Sequence, residues 1–370
     1  MILVLTVVLV ALLFTYTNGF HDTANSIATV VGTKVLTPRQ AILLATITNL
    51  AGAMTGAAVA KTIASGLVDT SVVPASASSH MLICALLAAV LWNLITWFVG
   101  LPSSSSHALV GGLCGAAVAA TSGNWQAVVW SKLPAEGQHW WNGGGVLFKV
   151  VIPMIISPVL GLVIAFVFMV ILYLLLHGWR PLTVTRVFGK LQLLSSAYMG
   201  FSHGTNDAQK TMGIISLALL AATKAGTFDQ LPGWLGFLRT AEAADPRHQD
   251  IAIWIKVLCA LTMAAGTAAG GWRIIKTLGH KLVKLQPVHG FAAETAGATV
   301  LLGTAAMGMP VSTTHVITSS IMGVGAAKRL SALKWTVAER IVWAWILTLP
   351  ISFVLAYGFV RLLFWCGFLP

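Results

Sequence analysis

The sequence predicts an all-α polytopic membrane protein made of two inverted-topology repeats with broken helices. Three observations point there: too few charges for a water-facing surface, apolar runs of bilayer length, and polar motifs that recur in the same order in both halves. Hydrophobic residues are 57% of the 370 and charged residues only 9%. Soluble domains carry about 25% charged residues.

The apolar runs come in order along the chain. It opens MILVLTVVLVALLF, with no basic side chain before His21 or Lys34. A secretory signal needs a basic start, so this stretch reads as part of the first membrane helix. Residues 40–60 and 81–101 contain no charge, and 146–176 contains only Lys149. In the second half, 251–272 contains only Lys256, 290–309 only Glu294, and 341–370 only Arg361. A helical span needs about 20 residues, and the runs lack the ten-residue alternation of a β-barrel. The cysteines, Cys84, Cys114, Cys259 and Cys366, lie in apolar segments without CxxC spacing. They read as small core residues rather than a metal or disulfide framework. The net charge of +12 reads as basic cytoplasmic loops. Nucleic acid is not an expected partner, since no clustered basic face or binding motif is present.

Three motif pairs define the halves. Asn18-Gly19-Phe20-His21-Asp22-Thr23-Ala24-Asn25 is matched by Ser202-His203-Gly204-Thr205-Asn206-Asp207-Ala208-Gln209-Lys210. Pro102-Ser103-Ser104-Ser105-Ser106-His107 is matched by Pro310-Val311-Ser312-Thr313-Thr314-His315, and Ser157-Pro158 by Leu349-Pro350. The expected units are therefore 1–176 and 191–370, joined by a basic cytoplasmic linker at 177–190. Loop charges indicate inversion. The first loop holds Lys34 and Arg39 with no acid, but its counterpart at 223–250 holds four acids and three bases. The 61–79 loop has one Lys and one Asp, but 273–289 holds Arg273, Lys276, Lys281 and Lys284 with no acid. Basic loops stay in the cytoplasm, which places both termini in the periplasm. Inverted repeats with interrupted helices are the pattern of secondary transporters.

The motifs carry the expected chemistry. An ionised carboxylate at membrane depth costs at least ~2.5 kcal/mol and persists where it meets a cavity, a cation or a proton. Asp22 and Asp207 are expected in polar breaks, where Gly19 and Gly204 let the backbone leave the helix. Asn25 and Asn206 add neutral oxygens suited to Na⁺, Mg²⁺ or a proton-carrying carboxyl. Ser103, Ser104, Ser105 and Ser106, and Ser312, Thr313 and Thr314, each follow a Pro that favours a first helical turn. Such an end is an anion site, and two of them would hold one tetrahedral oxyanion. Plain helix capping is the alternative for these hydroxyls, as it is for the carboxylates. Glu294 is either a coupling residue or the partner of a nearby base. Lys210 either touches the anion or neutralises Asp207. His21, His107, His203 and His315 are proton relays or structural. No spacing identifies a metal site.

At these residues the sequence resembles the inorganic phosphate transporter (Pit) family. That family has two G-x-N-D-x-A-N signatures and a P-x-S-[ST]-[ST]-H motif in each half, and the likeness covers essentially the whole chain. It implies secondary active import of inorganic phosphate by alternating access, re-entrant hairpins carrying the hydroxyl runs, a homodimer, and a place in the cell inner membrane. His21 and Lys210 stand where Asn is typical. These departures resemble the bacterial low-affinity proton-coupled members, which carry a neutral metal–phosphate complex. They put a two-Na⁺ site in doubt, so the coupling ion is H⁺ or Na⁺, with Mg²⁺ a companion of the phosphate. No resident cofactor is expected. The chain is expected not to be an enzyme, because a lipid phosphatase needs a cationic clamp on its phosphate and no Arg lies near either hydroxyl run. A channel and a sulfate carrier are the other rivals.

Overall fold

A computed structural model describes residues 1–69, 71–240 and 251–369. Twelve α-helices account for most of these residues: α1 (Ile2–Gly32), α2 (Pro38–Ala53), α3 (Ala58–Ser65), α4 (Ala75–Val99), α5 (Ser105–Ala120), α6 (Ile152–Leu175), α7 (Pro181–Lys224), α8 (Ile253–Ala269), α9 (Trp272–Lys276), α10 (Pro287–Ala306), α11 (Thr313–Lys328) and α12 (Trp335–Trp365). No strand occurs among the described residues, only two isolated bridges. Four helices are long and apolar enough to cross a membrane, or six if each bent pair counts as one span.

Two of the apolar runs, 40–60 and 251–272, are bent. Helix α2 turns into α3 through 67°, and α8 turns into the segment that begins with α9 through 59°. The second bend falls at Gly270, with φ +74°, a backbone state that suits glycine.

The Asp motifs correct the expectation of a break. Both α1 and α7 run unbroken through them. Gly19 and Gly204 serve packing, not backbone freedom. A Cβ on Gly19 would meet the Met263 carbonyl of α8 at 2.6 Å, and one on Gly204 would collide with the Asn49 carbonyl of α2. Without a hydrophobic drive between helices in lipid, such small-residue contacts are how helices associate.

The breaks lie at the hydroxyl runs. Helix α4 ends at Gly100 with φ +72°, and α10 is followed by Gly308 with φ +66°. Each left-handed glycine leads through one residue to Pro102 or Pro310, and the chain re-enters as α5 or α11. Helix α5 packs on α12, and α11 packs on α6. Gly111 and Gly115 meet the carbonyls of Leu349 and Phe353, while Gly323 meets that of Leu162. The contacts come in twins: α1 with α8 and α7 with α2, α4 with α5 and α10 with α11.

The 177–190 segment is a connection only as far as Arg180, because α7 begins at Pro181. At 44 residues α7 is roughly 66 Å long, about twice the hydrocarbon thickness. Its first turns, with exposed Arg186 and Lys190, have length to spare outside the bilayer. Cys84, Cys114 and Cys259 are buried, but Cys366 is exposed, unlike the core residue expected there. The acids Glu242, Asp245 and Asp250, used in the loop-charge argument, lie outside the described residues.

Candidate functional site

The two re-entrant turns meet. His107 and His315 pack edge to face with ring centroids 4.7 Å apart, and His315 stacks on Trp345 at 4.1 Å. This contact brings the N-termini of α5 and α11 together against the middles of α1 and α7. The hydroxyl runs then divide by role. Ser104 and Ser312 are N-caps, accepting from the backbone N–H of His107 at 3.1 Å and of His315 at 3.2 Å. For these two the capping alternative is the observed one. Ser103 turns away to Thr96 of α4, 2.7 Å off.

The remaining hydroxyls face the carboxylates. Asp22 accepts from Ser105 at 2.9 Å and from Thr314 at 3.3 Å. His21 Nδ1 lies 2.7 Å from Asp22, and its Nε2 lies 3.2 Å from Thr96. Asp207 accepts from Thr313 at 3.3 Å and pairs with Lys210. His203 Nε2 lies 3.1 Å from Asp207, and its Nδ1 faces Asn49 at 3.1 Å. Lys210 also donates to Ser106 and, at 3.3 Å, to the Val311 carbonyl. Asn25 closes the ring by donating to Thr313 at 3.1 Å and Thr314 at 2.9 Å, and Asn206 donates to Val311 at 3.0 Å. All of these side chains are buried.

The electrostatics are unequal. Asp207 has an ammonium beside it, whereas the donors to Asp22 are hydroxyls and an imidazole. The two carboxylates and His203 each bring one ligand atom within 4.8 Å of the others, all buried. Asn25 Oδ1 and Asn206 Oδ1 are buried without a hydrogen-bond partner in the protein. Oxygen donors and one imidazole fit a hard cation. The chain therefore juxtaposes a cation-suited cluster with two helix N-termini suited to an anion.

Glu294 stands apart from this cluster. It is fully buried and accepts from Thr29, Ser195 and, at 3.3 Å, Gln192. These partners are neutral donors, so the alternative in which Glu294 pairs with a base is not what the structure has. Thr29 lies two turns along α1 from Asp22, about 10 Å by helical rise.

Sequence reasoning underrated His203 and missed Thr96, Asn49, Gln192 and Ser195. His203 had a signal, because it precedes Asp207 by one helical turn. The others come from neighbouring helices and carry no local pattern.

Comparison with known proteins identifies the family. A model of the phosphate transporter family matches residues 18–184 and again 177–356. The chain belongs to the phosphate transporter family. This transporter is 41% identical over 367 residues to a Bacillus subtilis protein named "Probable low-affinity inorganic phosphate transporter", covering 98% of this chain and 99% of that one. A Rhizobium meliloti protein of the same name is 40% identical, with 92% and 90% covered. The solved structure titled "The sodium-dependent phosphate transporter" superposes with a TM-score of 0.78 at 25% identity, covering 99% of this chain and 100% of that one. The protein is a membrane-embedded transporter and not an enzyme.

Proposed function

We propose that this transporter imports inorganic phosphate by alternating access and couples the step to protons. The two halves, 1–176 and 191–370, act as inverted repeats around one site. The observation that carries the reading is the hydroxyl–carboxylate exchange at the crossing of α1, α5, α7 and α11. Ser105 and Thr314 donate to Asp22, and these are the donors a phosphate between the two helix ends needs. An ionised Asp22 competes with the anion for them and repels it. A proton on Asp22 removes the repulsion and frees hydroxyls for the phosphate oxygens. His21, 2.7 Å from Asp22, is the proton's relay. Asp207 is paired with Lys210, whose charge disfavours Na⁺ at that end. A divalent ion travelling with phosphate, Mg²⁺ for instance, is held by the phosphate's own oxygens and is cargo rather than a resident cofactor.

The test is radiolabelled phosphate uptake into proteoliposomes, with pH and Na⁺ gradients imposed separately and Mg²⁺ varied. Saturable uptake driven by an inward proton gradient, with sulfate a poor competitor, is the expected result. Uptake that requires Na⁺ and ignores the pH gradient would overturn the coupling, and equal uptake of sulfate would remove the substrate assignment.

A further inference from the structure

Two basic loops meet away from the central site. The first follows the π-helical turn Thr277–Lys281 and leads into α10, and the second joins α11 to α12. Their backbones are linked, because the Lys334 N–H donates to the Leu282 carbonyl at 3.2 Å. The side chains then sort by polarity. Leu282, Val283 and Leu333 are buried in the core around α10 and α11. A Cβ on Gly325 of α11 would meet both Val283 and Leu333 at 2.9 Å, so the two loops close on that helix together. Lys281, Lys284, Arg329 and Lys334 are exposed on the outer side. None of these four cations pairs with a carboxylate among the described residues. The acid that follows them in sequence, Glu339, is exposed on α12 beside Arg340.

The patch lies where membrane-length helices end. Helix α12, long and apolar enough to cross a membrane, begins at Trp335, the residue after Lys334. The bent pair that starts with α8 reaches Gly279, two residues before Lys281. Trp335 is 57% exposed and Leu330 65%. Tryptophan concentrates where headgroups meet hydrocarbon. A lysine stem lies along apolar surface while its ammonium stays among the headgroups. Four unpaired cations beside two exposed apolar side chains suit an amphiphile with a negative head. A soluble anion would use the cations and leave Trp335 and Leu330 bare.

We propose that this patch binds the headgroup of an anionic phospholipid, with Trp335 and Leu330 against its acyl chains. Basic pockets between membrane helices hold such lipids. The bound lipid bridges the entry to α10 and the connection between α11 and α12. It thereby anchors the far end of α11, the helix that opens with Thr313 and Thr314.

The experiment uses the intact protein in neutral detergent micelles, titrated with phosphatidylglycerol or with phosphatidylcholine. Native mass spectrometry counts the retained lipid, and the melting midpoint is followed in parallel. The variants are Lys281→Gln/Lys284→Gln/Lys334→Gln, the charge-keeping Lys334→Arg, and a control, Arg180→Gln/Arg186→Gln/Lys190→Gln. The control removes three exposed cations at the start of α7. Wild type should bind phosphatidylglycerol at least about tenfold more tightly than phosphatidylcholine and melt at a higher temperature with it. High salt should reduce that preference. The first triple variant should lose the preference, whereas Lys334→Arg and the control should keep it. Equal binding of the two lipids by wild type would overturn the proposal. So would an equal loss in both triple variants, which would mean a diffuse field rather than a site. Displacement of phosphatidylglycerol by inorganic phosphate would make the occupant a free anion and overturn the lipid assignment.

Discussion

At residue scale the site separates two carboxylates that look alike in sequence. Asp207 is neutralised by Lys210 one turn away, whereas Asp22 meets only hydroxyls and His21. Asp22→Asn keeps the shape and removes the carboxylate. It should abolish proton-driven accumulation while phosphate exchange between equal pools persists, and a variant that still accumulates phosphate up its gradient would remove Asp22 from the coupling. Thr313→Ala and Ser105→Ala should each weaken phosphate binding roughly ten- to a hundredfold in equilibrium binding of labelled phosphate. A hydrogen bond to a charged ligand is worth roughly 1.5–3 kcal/mol. Unchanged affinity in both would return these hydroxyls to capping, the role Ser104 and Ser312 already have. Lys210→Asn removes the ammonium and leaves Asp207 facing His203. Phosphate uptake by that variant should become stimulated by Na⁺ where the wild type is not, and the absence of any Na⁺ effect would sink the argument that Lys210 excludes sodium. The chain order of Asp22, Asp207 and the hydroxyls was legible because each sits in a repeated local motif. Thr96, Asn49 and the pairing of Glu294 with Thr29, Ser195 and Gln192 were not, because each depends on a contact between helices far apart in sequence.

At the scale of elements, the sequence located the polar interruptions but expected a break at the Asp motifs as well as at the hydroxyl runs. The Asp motifs contain glycine and several polar residues, which in water would favour a turn. In this bundle their polar groups are met by α2, α4, α5 and α11, so α1 and α7 stay helical. Pro102 and Pro310 follow left-handed Gly100 and Gly308, and there the backbone does break. The remaining glycines mark helix crossings. Gly115 of α5 faces the Phe353 carbonyl of α12, whereas nothing lies within 4 Å of a Cβ at Gly303 of α10. Gly115→Ala should therefore destabilise the folded protein by about 1–3 kcal/mol through overpacking, seen as a lower melting midpoint in detergent. Gly303→Ala should be neutral or stabilising, since alanine is the better helix former by about 1 kcal/mol. Equal melting shifts for the two would mean that the close crossing of α5 and α12 is not a stability determinant.

At the scale of the whole molecule, the crossed contacts make each half incomplete alone. Helix α5 from the first half packs on α12 of the second, and α11 from the second packs on α6 of the first. The proposed anion site sits where these exchanged elements meet, so a motion of one half against the other would change access to both of its ends together. That is what alternating access demands, provided that matched elements run in opposite directions across the bilayer. The loop charges favour this arrangement, and single-cysteine labelling tests it. In a Cys366→Ser background, where the other cysteines are buried, Lys34→Cys lies in the connection after α1 and Asp229→Cys in the connection after its counterpart α7. An impermeant maleimide added to intact cells should label Asp229→Cys and spare Lys34→Cys, with the pattern reversed in inverted vesicles. The charges make this direction, and not merely the difference, the expected one: Lys34 and Arg39 stand without an acid and belong on the cytoplasmic side. Labelling of both positions from the same side would place α1 and α7 parallel in the membrane and remove the basis for reciprocal opening around Asp22 and Asp207.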